Sequence, residues 1–123
     1  MKDFLIINLN NCTKEYHEFI KQGLKALRIE EDLNSYLSNK NLNKLPQAFF
    51  LIHNSELLGY VFIKGDKSTD HSWLATHNAD ELNKQASLIL LAEGIKVCER
   101  CHADHLKELF IYDYNYYLNN EAL

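Results

Sequence analysis

Two apolar runs, AFFLIH at 48–53 and LLGYVFI at 57–63, flank the polar residues Asn54, Ser55 and Glu56 and limit the fold of this chain more than any other feature. Strand-length runs rich in aromatic and β-branched residues around so short a polar turn predict a β-hairpin. Further strands are expected on both sides of it. FLIINL at 4–9 is a short β-type run closed by Asn10 and Asn11, and HSWLAT at 71–76 follows a polar turn over 65–70.

Between the first run and the hairpin the periodicity changes. Tyr16, Phe19, Ile20, Leu24 and Leu27 recur at spacings of three and four, opposite Lys14, Glu18, Lys21 and Lys25, so an amphipathic helix is predicted to start near Thr13. Glu30, Glu31 and Asp32 favour the N-terminal end of a second, short helix, because carboxylates are stabilised at the positive end of the helix dipole. Leu33, Tyr36 and Leu37 supply its buried side, and the Asn-rich stretch 39–43 with Pro46 reads as a loop.

After the 71–76 strand, Asn78 and Glu81 have capping-box spacing and predict a long helix. Leu82, Ala86, Ile89, Leu90 and Val97 line one face and Leu88, Leu91, Ala92 and Ile95 a second, so much of its circumference is expected to be buried. Residues 106–112 then read as a final strand. Gly94 leaves a second register open, in which it caps the helix, 95–98 is a strand and 105–110 a helix; the first register is preferred.

At 123 residues the chain has the length of one domain with a real hydrophobic core. Its formal charge of −4 offers no basic surplus to attract nucleic acid or an anionic membrane, and neither is expected as a partner. The apolar run at 4–7 is too short for a signal-peptide core or a membrane span, which predicts a cytoplasmic protein. Three cysteines, an odd count, read as reduced thiols.

The predicted order is strand, helix, short helix, three strands, long helix, strand: an α/β (α+β) domain with a mixed central sheet and helices on both faces, spanning residues 1–123. That order resembles the GNAT (N-acetyltransferase) superfamily over nearly the whole chain. AFFLIHNSELLGYVFI is similar to the family's second and third strands, and HLKELFIYDYN to its fifth. Members usually continue with a further helix and two strands, so the resemblance is to a C-terminally shortened form. An open sheet edge results, which predicts a protein partner or a homodimer.

The resemblance implies an acyl group carried by acyl-CoA or by an acyl carrier protein and passed to an amine. It places the donor against Leu74, Ala75 and Thr76 at the end of the fourth strand and against Lys84, Gln85 and Ser87 at the start of the long helix. The family's glycine-rich pyrophosphate loop has no counterpart here: ELNKQASL at 81–88 contains no glycine, and Asp80 and Glu81 put negative charge where the phosphates would sit. Coenzyme A is expected to bind weakly or not at all.

Acyl transfer to an amine needs a base and an acid for the departing thiolate. His71 and His77 flank the fourth strand and are the candidate bases. Tyr114 and Tyr116, from the cluster with Tyr112 and Tyr117, are the candidate acids; the same cluster also suits a half-exposed sheet or a partner surface. Cys98, Cys101 and His102 match C-x-x-C-H, and His105 adds a fourth possible zinc ligand, yet structural zinc ligands usually come from two separated pairs, so no metal is expected. Two functions therefore follow: a small acyltransferase, or a non-catalytic protein-binding or regulatory domain of the same fold.

Overall fold

The hairpin at the centre of the sequence is also the centre of the structure. The computed structural model describes residues 4–75 and 80–119. β2 (Gln47–His53) and β3 (Glu56–Ile63) pair antiparallel through a two-residue turn in which Asn54 and Ser55 have φ of 51° and 63°. Positive φ at both positions matches the twist of the flanking strands, and Asn tolerates it better than most residues. β1 (Phe4–Asn8) pairs with β2 and β4 (His71–Ala75) with β3, both antiparallel, giving a four-stranded sheet in the order β1-β2-β3-β4.

Both faces are covered. α1 (Lys14–Ala26) and α2 (Asn34–Ser38) bury Ile20, Leu24 and Tyr36 against Phe50, Tyr60 and Phe62. α3 (Asp80–Arg100) and α4 (Asp104–Asn119) bury Leu90, Leu91, Val97, Leu106 and Phe110 against Phe49, Leu51, Val61 and Ile63 on the other face. Strand residues alternate between the two clusters as the pleat requires. Near the turn, however, Leu51 pairs with Gly59 while Ile52 pairs with Leu57, so Leu58 is an extra residue that bulges β3. Among the described residues no helix is long and apolar enough to cross a membrane.

The final strand expected over 106–112 does not exist: these residues lie within α4, and the sheet is purely antiparallel rather than mixed. The alternative register fares no better as a whole, because 105–110 is helical but 95–98 remains inside α3. The cause is a left-handed residue. His102 has φ 58°; its N–H donates to Glu99 O at 3.4 Å, and the Ala103 N–H donates to Cys98 O at 2.9 Å. This is the Schellman pattern that ends a helix and reverses the chain. The next helix starts at once, with both Asp66 carboxylate oxygens accepting from the free N–H groups of His105 and Leu106 at 3.3 and 2.7 Å.

Gly94 serves neither as a cap nor as a hinge. It lies buried inside α3, where a Cβ would come within 3.3 Å of the Phe110 ring. α3 and α4 thus approach closely at this point, which orients α4 along the inner face of β4.

Candidate functional site

β4, the start of α3 and the C-terminal half of α4 carry the residues singled out for acyl transfer. Thr76 and His77 lie outside the described residues. His71 opens β4 and turns its ring edge-on to Phe110, with ring centres 5.3 Å apart. Its Nδ1 is buried with no hydrogen-bond partner. A catalytic imidazole is normally oriented by a second group, and the nearest carboxylate in sequence is engaged elsewhere: Asp70 accepts the Lys67 N–H at 3.2 Å within its own turn. The hollow that His71 borders, with Lys64, Thr69 and Asp70, holds about 180 Å³, below the roughly 300 Å³ at which cofactor pockets begin.

On the donor side, Leu74 is 38 % exposed, and the Ala75 carbonyl accepts from Asn83 Nδ2 at 3.2 Å, tying the start of α3 to the end of β4. Lys84 and Gln85 are half-buried, and Gln85 donates to Glu81 at 3.3 Å, one helical turn away. Ser87 is buried, its hydroxyl directed to Asn83 Oδ1 at 3.4 Å.

The helical register re-sorts the tyrosines. In a strand Tyr112, Tyr114 and Tyr116 would share one face; in a helix Tyr112 pairs with Tyr116, and Tyr114 with Tyr117. Tyr114 and Tyr117 turn inward, packing on the α3/α4 core, and Tyr117 meets Trp73 of β4 edge to face at 5.8 Å. Tyr112 and Tyr116 are left 72 % and 57 % exposed, and with Asn115 and Asn119 they line a shallow hollow of about 440 Å³. No hydrogen bond joins His71 to Tyr114 or Tyr116 among the described residues. The asparagines were not singled out by sequence reasoning; the spacing 112, 115, 116, 119 marks one helical face once the segment is known to be a helix.

The C-x-x-C-H residues form the reversal between α3 and α4. Cys98 is fully buried, Cys101 is half-buried with its thiol on Leu42 O at 3.7 Å, and His102 occupies the left-handed position. No group of three metal-ligating side chains converges among the described residues. Burial, then the Asp66 carboxylate and Cys101, push the Cys98 thiol up to about 12. Native protein treated with iodoacetamide at pH 8 is therefore expected to keep Cys98 unmodified, whereas the unfolded chain loses all three thiols, as read by mass spectrometry. The same shift fixes a sign for stability. Between the ordinary thiol value of 9.0 and about 12 the unfolded chain has released this proton and the folded chain has not. Stability therefore falls as pH rises through that window, by up to ~1.4 kcal/mol per pH unit from this group.

Compared with known proteins, the chain significantly matches no family model, no curated protein and no solved structure.

Proposed function

We propose that this chain is a protein-binding domain on a GNAT-like frame, and that its contact surface is the C-terminal half of α4 beside the open edge of β4. The frame is supported by the first seven elements, which follow the expected order with helices on both faces of the sheet. The function rests on one observation: Tyr112 and Tyr116 stand largely exposed in a segment, 111–119, whose single ionised side chain is Asp113. Interface cores are depleted in charge and enriched in tyrosine, whose ring buries a large area at low entropic cost while its hydroxyl still finds a partner. Resin bearing the wild-type chain should retain a protein that resin bearing the Tyr112→Glu/Tyr116→Glu variant does not; equal retention by both would refute the assignment.

The acyltransferase reading is kept by the placement of α3, which starts at Asp80 soon after β4 ends at Ala75, where the resemblance puts the acyl donor. In it, His71 or His77 is the base, Tyr114 or Tyr116 the acid, and Lys84, Gln85 and Ser87 approach acyl-CoA or a carrier-bound acyl group. The acidic, glycine-free helix start opposes a pyrophosphate. Calorimetry is accordingly expected to show no binding of coenzyme A or acetyl-CoA. Micromolar affinity for either, or for an acyl carrier protein, would return the chain to the enzymes.

A further inference from the structure

We infer that the partner seated on this face is a second copy of the chain, the two α4 helices crossing antiparallel about a two-fold axis near Asn115 and Tyr116; this rests on the protein-binding reading above. Tyr112, Asn115, Tyr116 and Asn119 stand at i, i+3, i+4 and i+7 and together line one hollow. Four residues so spaced form the hole that receives a side-chain knob from a facing helix. The occupant is therefore a helix, and its chemistry follows from the lining: two phenols and two carboxamides, with no charge. Both groups donate and accept hydrogen bonds, so a strip made of them is complementary to itself. An isologous interface requires that property.

Charge fixes the direction. Asp104 and Glu108 are exposed on the N-terminal turns of α4, and Glu108 lies one turn before Tyr112 on the same strip. A parallel pair would set Glu108 against its own copy. In the antiparallel pair Glu108 lies about 11 Å from the axis at 1.5 Å per residue, so the two copies are ~22 Å apart and beyond a Debye length of ~8 Å. Tyr112 then faces Asn119 of the other copy, and the helix dipoles oppose. Each chain carries a formal charge of −4, so the uncharged strip is where two copies meet with least repulsion, and added salt should strengthen the association.

Sedimentation equilibrium of the full chain from micromolar to millimolar concentration tests this. The wild type is expected to dimerise, and Tyr112→Glu to weaken the dimer roughly 30-fold, as loss of an interface anchor does. Adding Asn119→Lys to Tyr112→Glu should recover most of the loss, because in the antiparallel arrangement each new carboxylate meets the other copy's new ammonium. Both positions are exposed, so circular dichroism and a thermal melt should match wild type. A dimer indifferent to Tyr112→Glu, or one that Asn119→Lys fails to recover, overturns the inference. So does a wild-type chain that stays monomeric throughout, and the resin comparison then separates the cases: retention that depends on the tyrosines leaves the protein-binding reading standing with another partner, and its absence removes both.

Discussion

Asn10→Ala is expected to lower the unfolding free energy by ~3–5 kcal/mol, through buried polar groups left without partners. Asn10 follows β1 and is 1 % exposed. Its Nδ2 donates to the carbonyls of Tyr36, Asn39 and Pro46 at 2.8, 2.9 and 3.0 Å, and its Oδ1 accepts the Ala48 N–H at 3.2 Å. One side chain thus joins the end of β1, α2, the Asn-rich loop and the start of β2. Around it Asn39 Nδ2 donates to Lys44 and Pro46 carbonyls, and the fully buried Gln47 donates to those of Asn41 and Lys44. Alanine would strand the Asn39 carbonyl and the Ala48 N–H, and would leave the Tyr36 and Pro46 carbonyls with only the Asn39 backbone and side-chain donors. Asn10→Asp separates the two halves of the amide, since it keeps the acceptor for Ala48 but loses every N–H donor; its cost should match or exceed that of alanine. Urea unfolding is the measurement, and a loss below ~1 kcal/mol for Asn10→Ala would mean that water replaces the amide at little cost.

The elements legible in the sequence were those whose cause is local. The hairpin is set by apolar runs around Asn54 and Ser55, α1 by a stripe from Tyr16 to Leu24, and the burial of α3 on two sides by its two apolar faces. What could not be read depends on residues far apart in the chain. LKELFIY at 106–112 has strand-like composition, yet its helix is capped by Asp66, some 39 residues earlier, and is packed against Gly94. Gly94 lies inside the long helix, as the preferred register had it, but what places a glycine there is the contact with Phe110, which a single sequence does not reveal. The mistaken strand carried over to the site, because strand period groups Tyr114 with Tyr116 whereas the helix turns the first toward the core and exposes the second. Asn10 and Asn39 likewise read as turn formers, since the carbonyls they hold belong to segments up to 36 residues away.

Phe110→Ala should cost ~3–5 kcal/mol, the range for deleting a buried aromatic ring. Phe110 is fully buried where three elements meet: its ring lies beside Gly94 of α3 and faces the edge of His71 on β4. Asp66 holds only the first turn of α4, so without the ring the later turns, which bear Tyr112 and Tyr116, keep Tyr117 against Trp73 but lose the nearest fully buried side chain. Hydrogen exchange in α4 should accordingly rise more than in β2 or β3, and the proposed self-association should weaken although no contact residue has changed. A second substitution tests whether the close approach to Gly94 is the reason. Alanine is favoured over glycine inside a helix by ~1 kcal/mol, but in the wild type its Cβ would press on the ring at 3.3 Å. Once the ring is gone that opposition disappears. Gly94→Ala should therefore be more favourable in the Phe110→Ala background than in the wild type, with a coupling of ~1 kcal/mol in a double-mutant cycle. Additive effects would show that a Cβ at position 94 does not press on the ring, and that Phe110 acts through buried area alone.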